Sequence, residues 1–585
     1  MHGTGFSSLP EIFVMQALQN ICVRHAINRI SWTVFCSTLA LAPSIFFILC
    51  GFFLSLSSTA AADPDPFLTA KQLEQSLNRE RTPIDTSQDE YSDLCDDETF
   101  LRRITLDLAG RQPTTEEIST FSQEDSKTKR ALVIDRLLES PEWAETWARY
   151  FRDVILYRRT DERTLFMSGP LEKFFFVHLD GAARWDAIAR AVITASGNPL
   201  EHGETAIVMG QMGETADIAA EISRIFLGIQ IQCAQCHDHR TDRWKRSQFH
   251  EMAAFFPRIE IRPSPGNGIN RFIVVSRDFD AGRGVKALDN PRRGHLEHEM
   301  PDLQDPSQPG TVMTPVFFLT GATVPKGTRD RERREAIAAA VIDPLHPWFV
   351  RSIVNRLWSE LLGEGFYDPV DDMGPDRTSS APQSLELLTS GLIASHYDLR
   401  WLFRTITLTE TYQRASQSRG STDHKGFAIN CPQRLRADQL FNQILSTLGA
   451  DESRYVRRQG NGNGAGQSMA SPRAMFATVF GYDPSQPRED VAGTIPQALL
   501  LMNSPVMASA INGDRPFTAI GKILYEQPDD REAASMLYLR TLARHPTDRE
   551  LNLCLDHVKE VGNRNEAFED IFWSLLNSTE FIHRK

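Results

Sequence analysis

Helix-start chemistry recurs along this chain and commits most of it to α-helix. Thr114-Thr115-Glu116-Glu117 places a hydroxyl before a first turn, with Glu three residues on. The hydroxyl accepts the N3 amide while the Glu carboxylate takes the cap amide, so two otherwise unpaired donors are satisfied together. Thr547-Asp548-Arg549-Glu550 repeats this arrangement just after Pro546. Ser140-Pro141-Glu142 puts a cap residue before a proline at the first helical position, followed by an acid in the first turn. The helix it opens carries Trp143, Trp147, Phe151 and Val154 at spacings of four, four and three, one buried stripe. Such an aromatic stripe is core rather than a cofactor box. A further helix is predicted from Thr215 to Leu227, with Ile218, Ile222, Ile225 and Phe226 on one face.

The 585 residues suffice for two to four domains at roughly 150 residues each. From about Pro257 to Thr328 prolines and glycines become frequent, and short β-like runs appear at Phe272-Ile273-Val274-Val275 and Val316-Phe317-Phe318-Leu319. Helical patterning resumes after that, interrupted by the glycine-rich loop Gly460 to Gly466. The fold expected is mainly α: helical domains over 63–256 and 329–585, joined by a small β-containing connector over 257–328. The charged run Arg329 to Glu335 reads as a solvated helix face.

Residues 1–62 read as an address. Arg24, His25 and Arg29 form a positive start, no charge follows from Ile30 to Ala62, and Ala60-Ala61-Ala62 ends the run before Asp63-Pro64. A signal peptide is expected, hence a periplasmic or cell-surface location. The alternative is an uncleaved anchor, the one way this chain would meet a membrane. Cys50 follows Leu49 rather than a small residue, which does not suit lipidation, and Met15 would be the more usual start. The net charge of −13 argues against a nucleic-acid partner, because phosphate contacts need clustered Lys and Arg.

Of eight cysteines, Cys22, Cys36 and Cys50 would leave with the signal. Cys95, Cys431 and Cys554 allow three pairings, and spacing chooses none. The remaining two lie in Cys233-Ala234-Gln235-Cys236-His237. Two thiols at that spacing can form thioethers to the vinyl groups of one haem, and the adjacent imidazole then faces the iron. Cys233 and Cys236 are therefore the candidate attachment residues of one covalent haem c, and His237 the candidate iron ligand. Asp238 or a backbone carbonyl would orient it through the other ring nitrogen. Trp244, Phe249, Phe255 and Phe256 are candidate crevice walls. Met209, Met212, Met252, His250, Met300 and Met313 are distal candidates among which no spacing rule chooses. Rival readings are a Cys233–Cys236 disulfide, a metal clip that adds His239 and His250, or hydrogen-bonded structural histidines.

A second constellation, Asp368-Pro369-Val370-Asp371-Asp372-Met373-Gly374, groups carboxylates as a cation or acid–base site would. Turn chemistry explains the same composition and is the preferred account.

The stretch Phe100-Leu101-Arg102-Arg103-Ile104-Thr105-Leu106-Asp107-Leu108-Ala109-Gly110-Arg111-Gln112-Pro113-Thr114 resembles the opening of the planctomycete cytochrome-c-like family. Ser140-Pro141-Glu142-Trp143, Trp147-Ala148-Arg149, the Cys233 to His239 segment and Ala253-Ala254-Phe255-Phe256 continue the likeness. Arg240 stands where the family usually has proline. Asn355-Arg356-Leu357-Trp358, Thr411-Tyr412-Gln413, Pro496 to Ser504 and Leu575-Leu576-Asn577-Ser578 are similar to the family's companion C-terminal domain. The extra N-terminal cytochrome-c domain common in the family is not expected here. The resemblance implies an exported c-type cytochrome serving electron transfer or a redox step with separate redox partner proteins. A non-haem scaffold, or a metal-dependent hydrolase using His237, His239 and Asp371 or Asp372, remains the alternative.

Overall fold

The computed structural model describes residues 63–80, 92–264, 272–278, 297–416 except 306, 427, 430–450, 452, 472–486, 493–503, 507 and 510–585. Residues 1–62, with Cys22, Cys36 and Cys50, and residues 460–466 lie outside them.

The chain is mainly α-helical, as its patterning requires, and among the described residues its sheets are all two-stranded. The first stretch holds α1 (Pro66–Glu80), α2 (Asp97–Ala109), α3 (Thr115–Gln123), α4 (Lys129–Leu138), α5 (Pro141–Leu156), α6 (Ser168–Asp180), α7 (Trp185–Ile193), α8 (Ala206–Gly210), α9 (Thr215–Ile222) and α10 (Arg246–Ala253). The capping box at Thr114 forms as read, and Ser140 accepts the Glu142 amide at the start of α5. Trp143, Trp147, Phe151 and Val154 are all 2% exposed or less. Each such residue contributes about 1.5–3 kcal/mol on burial, so this stripe alone anchors the helix. The helix expected over 215–227 is present, but its last turn, Ser223–Leu227, widens to a π-turn that ends in the left-handed Gly228.

Next come β1 (Ile259–Pro263) antiparallel to β2 (Phe272–Ser276), and β3 (Glu299–Met300) antiparallel to β4 (Thr311–Val312). The Phe272–Val275 run is a strand as expected, whereas Val316–Leu319 contributes only the single bridge Val316–Thr323. Prolines on either side of that run remove ladder donors. Then follow α11 (Asp330–Val341), α12 (Trp348–Leu362), α13 (Pro382–Ala394), α14 (Leu399–Thr407), α15 (Glu410–Gln413), β5 (Gln433–Arg434) and α16 (Ala437–Leu448). The chain closes with α17 (Pro472–Phe480), α18 (Ile495–Asn503), α19 (Ala519–Glu526), α20 (Asp530–Leu542), α21 (Asp548–Val561), α22 (Arg564–Leu576), α23 (Thr579–Ile582) and β6 (His583–Arg584), which pairs with β5.

The run at Arg329 is solvated on one side only: Arg329, Arg331 and Glu332 are exposed, as its charge pattern predicts, but its other side is not. Asp330, Arg333 and Arg334 are 2% exposed or less. Arg333 donates to the Ala254 carbonyl at 2.9 Å and pairs with Glu297 at 2.7 Å, while Arg334 pairs with Asp330 at 2.6 Å. Long guanidinium side chains become buried where every donor finds a carbonyl or carboxylate, a condition set by distant segments.

Residues 64–585 form one unit with two apolar clusters. The larger is drawn mainly from Leu73 to Phe427, with Ala543, and includes Phe256, Phe317 and Trp358; the smaller is drawn mainly from Leu435 to Phe581. Among the described residues no helix is long and apolar enough to cross a membrane.

Candidate functional site

Cys233 lies on a short 3₁₀ turn, Ile231–Gln235, held from beneath by Ile231 and Ala234, both fully buried. That anchorage leaves Cys233, Cys236 and His237 exposed on one short segment, with both cysteines as free thiols. Nδ1 of His237 lies 2.8 Å from the carbonyl oxygen of Asp238. A carbonyl only accepts, so Nδ1 carries the proton and Nε2 is left as the basic nitrogen. The Asp238 carboxylate is occupied elsewhere. It accepts the Arg246 amide at 3.0 Å and the Lys245 ammonium at 2.9 Å, and these contacts hold its carboxyl below the ordinary range. The backbone carbonyl of Asp238, not its side chain, therefore orients His237.

His239 and His250 are engaged by other groups of the chain. Nδ1 of His239 faces the Thr241 amide at 3.4 Å, and the His239 amide closes the loop by donating to the Trp244 carbonyl at 2.8 Å. His250 is 2% exposed, and both of its ring nitrogens are engaged. Nε2 lies 3.0 Å from the Gln235 carbonyl and must donate, so Nδ1 accepts from His298 Nε2 at 2.8 Å. Burial pushes both imidazoles below the usual histidine range, His298 to about 4. This pair sits beneath the cysteine turn and supports the Gln235 carbonyl. Among the described residues no three His, Cys, Asp or Glu side chains form a group able to hold a metal ion.

The expected crevice walls are elsewhere. Trp244, Phe249, Phe255 and Phe256 are 5% exposed or less, packed into the larger core. Of the distal candidates, Met209, Met252 and Met313 are buried, Met300 is half-buried in β3, and Met212 is exposed. Gln232, Asp238, Arg240, Thr241, Arg243 and Lys245 surround the motif and are all exposed. The donor set thus fits two thioethers and a proximal imidazole, while its surroundings are polar and open.

The second constellation packs directly against the approach to the first. The Met373 amide donates to the Gly228 carbonyl at 2.7 Å, and Gln230 donates to Asp371 at 2.7 Å. Gly228, with φ of +67°, leaves no room for a side chain: a Cβ there would fall 2.7 Å from Met373 Sδ. Asp371 is fully buried and lies 3.2 Å from Arg224; its carboxyl stays below the ordinary range because Arg224, Arg356 and Arg158 outweigh burial. Asp368 caps the Gly365 amide at 3.2 Å, the Asp372 amide closes a turn on Pro369 at 3.0 Å, and the Asp372 carboxylate pairs with Arg377 at 2.6 Å. The contacts at Asp368 and at the Asp372 amide are the turn roles that the composition favoured, whereas the ion pairs of Asp371 and Asp372 are not indicated by it.

A carboxyl pair that spacing does not reveal, Asp242 and Asp376, lies beside the motif. Burial raises the Asp242 carboxyl and the facing Asp376 adds to it, with the Arg243 amide and His239 opposing. The two acids are remote in the chain, so only folding joins them.

Two family models match the chain: PSCyt2, a protein of unknown function (DUF1549), over residues 82–261, and PSD1, a protein of unknown function (DUF1553), over residues 333–558. No curated protein and no solved structure matches it. The chain is thus similar to two families of unknown function joined in one polypeptide, PSCyt2 ahead of PSD1.

Proposed function

We propose that this chain is an exported protein that carries one covalently attached haem c and serves electron transfer or a redox step. The observation that carries the reading is the presentation of Cys233, Cys236 and His237 on one exposed turn, with the His237 proton placed on Nδ1. In this reading Cys233 and Cys236 hold the group, His237 Nε2 ligates its iron, and the Asp238 carbonyl keeps the imidazole in the ligating tautomer. A haem held there supplies one-electron oxidation and reduction. The charge-free run from Ile30 to the Ala60-Ala61-Ala62 end supports export, and export supports thioether formation. The partners in this reading are redox proteins that approach the open, polar face.

A second reading is favoured by that same open face. With the large aromatic residues in the core, Cys233 and Cys236 are two accessible thiols suited to a disulfide or a metal clip on a scaffold protein. The two are separated by a pyridine haemochrome spectrum and intact mass, taken on protein exported from a host competent in c-type haem maturation. A c-type α-band and one haem of added mass, both lost in Cys233→Ala plus Cys236→Ala, are the expected result. A folded protein of apo mass, with the two thiols titrating or oxidising together, would overturn the haem reading in favour of the second.

A further inference from the structure

The cysteine turn lies in the segment that matches PSCyt2, and residues 368–376 lie in the segment that matches PSD1. The second grips the first on both sides of Cys233-Ala234-Gln235-Cys236-His237. Upstream, the Met373 amide donates to the Gly228 carbonyl at 2.7 Å, and the Gln230 side chain donates to Asp371 at 2.7 Å. Downstream, Asp242 closes on the same turn. A Cβ on the buried Gly374 would fall 2.7 Å from Asp242 Cγ, and the Asp242 carboxyl shares a hydrogen bond with Asp376.

The gripping turn is itself fixed from within. Asn355, fully buried on α12, donates to the Tyr367 carbonyl at 3.0 Å and the Val370 carbonyl at 3.2 Å, and accepts the Tyr367 amide at 3.0 Å. Asp371, also fully buried, is held by Arg224 at 3.2 Å. Residues 228–230 and residue 242 therefore meet one braced surface, and the chain between them has both ends set by it. Ile231–Gln235 is a 3₁₀ turn, in which residues three apart eclipse, so Cys233 and Cys236 project to the same side. Hydrogen-bond geometry in such a turn is poorer than in an α-helix, so its shape depends on how its ends are held. From beneath, α10 supports only its last carbonyl, Gln235, through His250 at 3.0 Å and Arg246 at 3.2 Å.

We infer that the 368–376 turn is a positioning part of the cysteine site: the PSD1 segment sets the relation between Cys233 and Cys236, and the working centre is built by both segments. The cysteine turn is the working centre in both readings of function, and the assignment rests on that alone, not on the choice between them.

Gly374→Ala, Asp242→Ala and the double variant, each in the whole chain, test it. Two quantities are read: amide hydrogen exchange over residues 228–242, and the redox equilibrium of the site. Where the thiols are free, that equilibrium is the oxidation of Cys233 and Cys236 to one disulfide by oxidised glutathione, which leaves as two reduced glutathiones. Where the chain carries haem, it is the midpoint potential of the iron. Gly374→Ala is expected to speed exchange by roughly tenfold or more, because its methyl drives Asp242 off the turn. The redox equilibrium is expected to shift by about threefold or more in the same variant. In the double variant the clash is gone, and both quantities return to those of Asp242→Ala. Faster exchange with an unmoved equilibrium shows a brace without bearing on the cysteines and overturns the inference, as does unchanged exchange. If Gly374→Ala fails to fold, an unmoved equilibrium in Asp242→Ala overturns it. A parent chain with neither haem nor an oxidisable pair overturns it together with both readings of function, whereas apo mass with an oxidisable pair removes only the haem reading.

Discussion

Two buried arginines show how far one residue type differs with its surroundings. Arg436 pairs with Glu360 at 2.8 Å and Asp438 at 3.0 Å, and its guanidinium lies over the Trp147 and Tyr150 rings at 5.2 and 5.3 Å. Burial opposes its charge, but the two carboxylates more than restore it, and in return hold Asp438 at about 2. Arg436→Met removes the cation that these two acids share, and their side chains are 7% exposed or less. Chemical denaturation should show a loss of about 3–5 kcal/mol, the usual result of removing one member of a buried pair. A loss under about 1 kcal/mol would show that water reaches these carboxylates and that the pairing is weak. Arg356, by contrast, meets its nearest carboxylate, Asp371, only at 3.9 Å, so the same substitution there is expected to cost less.

At the scale of elements, the cysteine turn is seated on α10 and on the residue preceding β3 through the His250–His298 contact. That contact makes stability depend on pH with a definite sign. His298 titrates near 6.5 when unfolded and at about 4 when folded, because burial and then His250 disfavour its charge. Above pH 6.5 the ring is neutral in both states and costs nothing. As pH falls below 6.5 the unfolded chain binds the proton first, so stability declines until about pH 4 and then levels. The size is on the order of 2–3 kcal/mol across that window, and His250, shifted the same way, adds to it. Urea unfolding at pH 7 and pH 5 should show a clear drop for the parent and a smaller one for His298→Asn; equal drops would remove the pair from the account.

Across the whole molecule, long-range ties cross both family segments. Arg103, fully buried on α2, donates to the carbonyls of Tyr412, Arg414 at 2.8 Å and Lys585 at 2.9 Å. Trp401 on α14 donates to the Pro64 carbonyl at 2.6 Å, and Arg102 reaches the Glu580 carbonyl at 2.8 Å. Calorimetry is therefore expected to show residues 64–585 melting in one main transition, with calorimetric and van't Hoff enthalpies in a ratio of roughly one. Two resolved transitions would mean that the clusters meeting near residue 430 unfold separately.

Local chemistry determined what local chemistry can reach. The caps at Thr114, Ser140 and Thr547, the stripe of α5 and the mainly helical class depend on contacts within a few residues, and all are legible in the chain. The cysteine motif is legible for the same reason, since its spacing is its chemistry. Only the tertiary structure decided that Trp244, Phe249, Phe255 and Phe256 belong to the core rather than to a crevice, because periodicity marks a residue as buried without saying what it packs against. It alone decided that Arg333 and Arg334 are buried, that Asp371 is spent on Gln230 and Arg224, and that Arg356 stands 3.9 Å from that same carboxylate. A charge becomes paired or orphaned by groups brought together from far along the chain, and no window of sequence contains them.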